Sequence, residues 1–427
     1  MSTRTDWKGA ALVIFSWALL GLAACGGSGA ATSGLAKRAF VSDDVDGTLH
    51  IEDALRDIES PHTIGTGSQP GLMRLSPDKS ITLVFNAGSV TLSAVMNSTE
   101  TVLDSISLPG PSTDYVLADD TLGFAAVPNS ANTPCTPRCV EVLNLATTTT
   151  ATTFEITGTI KADTTGQPLN AATTLVLSPD HSKLLVFGGP AEHIDTLIVI
   201  DTATAQTTPA TAATQLGGFD RPVSAVFSAD STKAYVLNCG PECGGTTASV
   251  AVLDMTVSPP VPITNVPVPA ASVALLSGNI VFVAGTPSGT PGSLAGRLSM
   301  LDATALTLTG SVPISDGYHD LMELGSNNKL LIGAITCSAG CLTVFDTSNN
   351  QAAVDPITGN VTGIAPISAR SVVYVVEDVA AGSYHCQSLS PCLGKLRIYD
   401  TTASVPTFTP TQIDVVGKAV DVKYVDK

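Results

Sequence analysis

Residues 172–207 read "ATTLVLSPDHSKLLVFGGPAEHIDTLIVIDTATAQT". Apolar residues alternate, a Ser-Pro-Asp turn intervenes, a second apolar run follows, and a third run ends on Asp201. Period-two alternation marks strands, whose successive side chains point to opposite faces. Pro179 presets φ and Asp180 accepts N–H groups of its own turn, so "SPDHS" reverses the chain tightly. Residues 222–258, "PVSAVFSADSTKAYVLNCGPECGGTTASVAVLDMTVS", repeat the plan, with "SADST" as the turn and Asp254 as the terminal acid.

The third-run ending can be followed along the whole chain. It reads "LHIED" (Asp53), "VEVLN" (Asn144), "LIVID" (Asp201), "VAVLD" (Asp254), "LSMLD" (Asp302), "LTVFD" (Asp346) and "LRIYD" (Asp400), and "VTLSAV" near residue 90 is an eighth that lacks the acid. An Asp or Asn there accepts backbone N–H groups of the turn that follows, which is a structural role. Each unit holds four runs, the plan of a propeller blade. The sequence therefore predicts an all-β propeller of eight four-stranded antiparallel blades, with seven as the alternative if the second unit misleads. The first unit opens at "RAFVSDDVDGTLHIEDA" on what read as second and third strands, and the chain ends in "GKAVDVKYVDK", a lone inner strand. Pairing the N- and C-terminal strands closes the ring and removes exposed sheet edges.

At these residues the chain resembles a known family. "SPDHSKLLVF…LIVIDTAT" is similar to the YVTN-type propeller repeat of bacterial surface and secreted proteins, and the resemblance covers residues 36–427. It is more distantly similar to WD repeats, although no Trp-Asp pair occurs. The resemblance implies a fold and is nearly silent on activity.

The N-terminus is a separate object. Arg4 and Lys8 precede the apolar run "AALVIFSWALLGLAA", and Cys25 follows. A basic start, a short apolar core and small residues at the cut form a secretory signal. The run falls short of the roughly 20 residues that a membrane span needs. "LAAC" (22–25) resembles the bacterial lipoprotein lipobox, which implies cleavage before Cys25 and lipidation of that cysteine. Gly26, rather than Asp, follows it, so the resemblance leans towards an anchor in the outer membrane. "GGSGAATSG" (26–34) has the composition of a flexible tether. The expected division is a lipoprotein signal peptide at 1–24, the lipidated Cys25 and its tether at 25–35, and one propeller domain at 36–427.

Composition excludes several classes of function. Charged residues make up 13 % of the chain and the net charge is −17. Without residues 1–24 there remain 18 basic and 36 acidic groups, so phosphate backbones repel the domain and nucleic acid is no partner. Trp7 and Trp17 both fall in the signal segment. The domain thus departs from the Trp-bearing docking repeats of quinoprotein dehydrogenases, and it offers no Trp platform for sugars. No Walker loop, G-x-S-x-G elbow or H-E-x-x-H occurs, and no cofactor is expected.

Nine cysteines less Cys25 leave eight. They fall as Cys135 with Cys139, Cys239 with Cys243, Cys337 with Cys341, and Cys386 with Cys392, all in hairpins between second and third strands. An even number in an exported chain favours disulfides. A zinc site needs four ligands on one ion, and hairpins of different blades stand far apart; metal or redox chemistry is the alternative. A bridge closing about five residues stabilises by roughly 2 kcal/mol, so these bridges mainly hold hairpin tips together.

Two loops that join one blade's outer strand to the next blade's inner strand carry polar clusters. "SDGYHDL" offers Asp316, Tyr318, His319 and Asp320, and "GGFDRPV" offers Asp220 and Arg221. A His between two Asp can serve as a base or metal ligand, or satisfy a loop turn. "SDDVDG" offers Asp43, Asp44 and Asp46 as calcium ligands, although its spacing differs from an EF-hand and a hairpin turn also explains it. The Gly/Pro loop "GTPSGTPGSLAG" (285–296) suits an exposed partner contact. The expected function is that of a membrane-anchored surface or periplasmic lipoprotein, a non-catalytic binding or scaffold propeller for a protein or envelope polymer. The alternatives are a lactonase-like propeller hydrolase with His319, Asp320 and Arg221 at the channel mouth, and a structural component of envelope or matrix.

Overall fold

Eight four-stranded antiparallel sheets form the protein. The computed structural model describes residues 32–147, 152–356, 359–368, 370–378, 393–403 and 412–426. Seven blades are meanders of consecutive strands, and the eighth sheet joins Arg38–Asp43, Thr48–Asp53 and Ile58–Gly65 to the C-terminal strand Ala419–Tyr424. We number that composite sheet blade 1, and the others 2 to 8 along the chain. Every inner strand contacts the inner strand of the next blade, round to the start, so the sheets form a closed ring about a channel. In such a meander the turns after first and third strands lie on one face. The hairpins between second and third strands, and the links between blades, lie on the other.

The turns obey the chemistry read from the sequence. Ser80 N donates to Asp78 at 2.7 Å, Ser182 N to Asp180 at 3.1 Å and Thr232 N to Asp230 at 3.1 Å. In these turns Lys79, His181 and Ser231 adopt positive φ near 60°. The third-strand acids cap the next turn: Asp302 accepts from Thr304 N and Ala305 N, Asp346 from Ser348 N, and Asp201 caps the short helix Thr202–Thr207 through Thr204 N. In blade 2 Met96 stands where the acid would be, and the next residue, Asn97, ties the third strand to the first turn, accepting from Thr82 Oγ1 at 2.7 Å and donating to Lys79 O at 2.9 Å, as Thr202 Oγ1 donates to His181 O in blade 4. The weak eighth ending thus belongs to a true blade.

The core is divided among the blades. Each of the eight interfaces between neighbouring blades encloses one cluster of buried apolar side chains. Alternation along a strand feeds two of them at once: Phe40 and Ile51 face blade 2, whereas Ala39 and Val41 face blade 8. Buried tyrosines add polar ties across the interfaces. The hydroxyl of Tyr235 donates to Ala303 O at 3.0 Å, and that of Tyr374, at the matching position of blade 8, to Asp57 of blade 1 at 2.6 Å.

Closure pairs the chain ends in register, with Ala39 opposite Tyr424, Val41 opposite Val422 and Ser42 opposite Asp421. Below the sheet the Arg38 guanidinium reaches Asp426 at 2.6 Å and Glu100 of blade 2 at 3.0 Å. Asp421 ties the closing strand onward by accepting Met73 N of blade 2 at 2.8 Å.

Candidate functional site

Three of the predicted cysteine pairs stand at disulfide distance. The Sγ–Sγ separations are 1.99 Å for Cys135–Cys139, 2.01 Å for Cys239–Cys243 and 2.12 Å for Cys337–Cys341. Each lies in the hairpin between second and third strands of blades 3, 5 and 7, all on one face. Cys25 and the pair Cys386 and Cys392 lie outside the described residues.

Two of the residues singled out as possible catalytic groups, Asp220 and Asp316, are engaged in holding these hairpins. Asp220, in the link before the inner strand Pro222–Phe227, accepts Thr246 N at 2.9 Å and Thr247 N at 2.7 Å from the Cys239–Cys243 hairpin. Asp316 does the same in blade 7, accepting Ser338 N at 3.0 Å from the Cys337–Cys341 hairpin. Arg221 reaches across to Asp195 of blade 4 at 2.8 Å. His319 is fully buried, and burial pulls its imidazole down to about 4, so it is neutral at physiological pH. Its Nε2 lies 3.5 Å from Ser315 Oγ, a serine that is itself buried and bonded to Thr343. Gly296 packs against the ring, where an added Cβ would come within 2.9 Å of Cε1. Asp320 is exposed on the inner strand beside the channel, where crowding by protein raises its carboxyl. Burial raises the phenol of Tyr318. The structure thus brings no acid–base pair of this set to one reactive point among the described residues.

Other side chains join the hairpins into a rim. Arg138 of the blade 3 hairpin meets Glu192 of the blade 4 hairpin at 3.4 Å. His193 Nδ1 lies 2.9 Å from Cys243 O of blade 5. Glu242 of that hairpin accepts Thr286 N of blade 6 at 3.1 Å, and Thr286 Oγ1 donates to Gly317 O at the start of blade 7 at 2.8 Å. Burial raises Glu242 to about 7. The loop 286–295 sits in this rim between two bridged hairpins, where Ser293 O accepts Asp316 N at 3.2 Å.

The opposite mouth of the channel holds a cavity of about 330 Å³ lined by Arg74, Lys79, Glu323, Ile364, Lys423 and Tyr424. Its cations have partners: Arg74 bonds Asp114 at 2.8 Å, Lys423 bonds Asp421 at 2.8 Å, and Lys79 sits 4.9 Å over the Tyr424 ring. Sequence reasoning misses these residues, because the only signal there is a charge interrupting an inner-strand alternation, as in "PGLMRL", "YHDLMEL" and "AVDVKY".

The acidic hairpin of blade 1 differs from the trio read as a calcium site. Asp44 leaves the set, its carboxylate 3.5 Å from Lys418 Nζ. Asp43 instead faces His50, whose Nε2 is 3.2 Å from Asp43 Oδ2 and whose Nδ1 is 2.5 Å from Glu59 Oε1. Burial alone would lower His50, but the bonds to Asp43 and Glu59 outweigh it and raise the imidazole to about 9. Two residues on, Glu52 is fully buried and neither of its carboxyl oxygens has a hydrogen-bond partner. Burial, and then the neighbouring Glu59, push it up to about 8. Sequence reasoning misses His50, Glu52 and Glu59 as well, although polar residues two apart in "LHIED" mark one face of a strand.

That face makes stability depend on pH. Unfolded Glu52 releases its proton near the ordinary carboxyl value, whereas the folded protein keeps it until about 8. The contribution is complete below the unfolded value and is lost as pH rises towards 8, by at most about 1.4 kcal/mol per pH unit. In chelator-treated protein, Glu52→Gln should leave the unfolding temperature unchanged at pH 4 and raise it by several degrees at pH 8. Equal effects at both pH values in a thermal melt would refute this.

No protein-family model matches the chain, and no curated protein matches it. Among solved structures it is similar to the dihydro-heme d1 dehydrogenase NirN in complex with DHE, at 12 % identity and a TM-score of 0.63, over 91 % of this chain and 75 % of that one. It is similar to apo AztD from Citrobacter koseri, at 12 % identity and a TM-score of 0.57, over 91 % and 97 %. A eukaryotic initiation factor aligns at 12 % identity and a TM-score of 0.52, over 91 % and 98 %. At such identities the likeness is one of fold.

Proposed function

We propose that this chain is an exported, lipid-anchored propeller that presents its bridged hairpin face to a protein or polymer of the cell envelope. The observation that carries the reading is the rim. Hairpins of blades 3 to 6 are tied one to the next by side-chain bonds, the last is tied to the link that Asp316 joins to the blade 7 hairpin, and three of the five hairpins hold cysteine pairs at disulfide distance. A surface fixed before binding loses little conformational freedom on binding, which is how rigid loops gain affinity. Of the residues on which the hydrolase reading rests, His319 is fully buried and Arg221 is held by Asp195, which weighs against that reading.

The entry of the chain supports the orientation. Ser33 Oγ donates to Glu100 at 2.5 Å, and Glu100 lies in the turn between Thr91–Met96 and Thr101–Ser107, on the face opposite the rim. Arg38 and Asp426 hold both ends of the chain there. Only seven residues separate Cys25 from Ser33, so lipid on Cys25 would keep the turn face against the membrane and point the rim away.

Photo-crosslinkers placed in the full-length chain on cells test this directly. Ala339, exposed in the Cys337–Cys341 loop, should give a discrete adduct, and Ser98, exposed in the opposite turn, should give none. Adducts from Ser98 alone, or a chain with Cys25→Ser that still fractionates with membranes, would overturn the reading.

A further inference from the structure

We propose that the hairpin of blade 1 is a site for a divalent cation of the zinc class, bound by His50 Nε2, Asp43 and Asp46, with Glu59 positioning the imidazole. One ligand atom from each of Asp43, Asp46 and His50 lies within 4.8 Å of the others. Bonds of about 2.0–2.2 Å set tetrahedral ligands roughly 3.3 Å apart, and Asp43 Oδ2 and His50 Nε2 stand at 3.2 Å.

The fold has fixed Asp43 for this work. Its Oδ1 accepts Val45 N at 2.7 Å, Asp46 N at 3.4 Å and Lys418 N at 3.1 Å, which leaves Oδ2 for the histidine side. Gly417 backs the carboxylate so closely that a Cβ there would lie 1.6 Å from Oδ2. Glu59 on Nδ1 supplies the carboxylate–histidine arrangement that orients a metal-binding imidazole and fixes its tautomer.

A second observation points to a cation independently of the ligand spacing. Glu52, fully buried beside Glu59 and on the same face as His50, has no partner for either carboxyl oxygen. Asp43 and Glu59 thus bond the two nitrogens of one imidazole, Asp46 lies within ligand reach of it, and the only other cation described at the hairpin, Lys418, leans on Asp44. Metal would take the place of the Nε2···Asp43 bond, with an Nε2–metal bond at the nitrogen that faces Asp43 while Glu59 keeps its hold on Nδ1. A nitrogen ligand and few carboxylates suit zinc better than calcium, which takes six to eight oxygens. Exposed Asp46 leaves the fourth position open to water.

The test is a zinc titration of the full-length, chelator-stripped chain by calorimetry. One zinc per chain is expected. His50→Gln should abolish binding, Glu59→Gln should weaken it 10- to 100-fold, and Asp46→Asn, in an exposed turn that keeps the fold intact, should weaken it as well. No stoichiometric zinc would show that the cluster is an ion-pair network alone and overturn the proposal. Zinc binding unchanged by both His50→Gln and Asp46→Asn would place the ion elsewhere, and calcium binding with equal affinity would refute the cation class.

Discussion

Removing residues 419–427 should cost this protein its cooperative fold, although it takes away one of the 32 strands among the described residues. The loss is not confined to blade 1. Ala419, Val422 and Tyr424 help to fill the interface with blade 8, and Val425 that with blade 2. With them go the acceptor of Met73 N, one of the two acidic partners of Arg38 and the inner of the two ladders along Arg38–Asp43. The second strand of blade 1 then becomes a bare edge of apolar residues, "RAFVSD", which is a template for aggregation. Expected results are a collapse in soluble yield and a broad thermal transition. Adding a peptide of residues 418–427 during refolding should restore both, because the register opposite Ala39–Asp43 is specified by buried side chains on each face. A truncated chain that stays monomeric and melts as the intact one does would show that closure contributes nothing.

The same interface explains what could be read from the sequence and what could not. Turn chemistry and the terminal acid of each third strand are local: Asp180, Asp230 and Asp302 bond residues two or three positions away, so four-residue patterns betray them. Local signals repeated along the chain yielded the blade count, and the unpaired runs at the two ends yielded the closure. The rim and the blade 1 cluster are not local in that sense. Asp220 meets Thr246, Arg221 meets Asp195, and Asp43 meets Lys418 across most of the chain. Asp220 and Asp316 were visible as polar loop residues, but the amides they accept were not, and an acid with unknown partners reads equally as catalyst or brace. Glu52 was hidden for a different reason. In "LHIED" it looks like the solvent side of a half-exposed strand, and only the packing of blade 8 against that face buries it.

Asp57 is the sharpest test of how the last interface is held. It lies at a turn of blade 1 with φ of 59°, and its carboxylate takes the Arg370 guanidinium of blade 8 at 2.5 and 2.8 Å and the Tyr374 hydroxyl at 2.6 Å. Burial would raise its carboxyl, but the arginine and tyrosine overcome that and hold it below the ordinary value. Three terms can be separated by substitution. Asp57→Asn tolerates the left-handed backbone and still accepts from Tyr374, so it loses chiefly the charge, about 1 kcal/mol for a partly exposed pair. Asp57→Gly also tolerates the backbone but abandons the buried tyrosine hydroxyl, for about 2 kcal/mol in all. Asp57→Ala adds the cost of a Cβ at positive φ, at least about 1 kcal/mol more, and reaches about 3 kcal/mol. The expected order of unfolding temperature is therefore wild type, Asn, Gly, Ala, with Arg370→Met near the Asn variant. If Gly and Ala melt together, backbone strain is not a term; if Asn melts with wild type, the ion pair across the closing interface contributes nothing, and the apolar cluster and tyrosine alone hold blade 8 against blade 1.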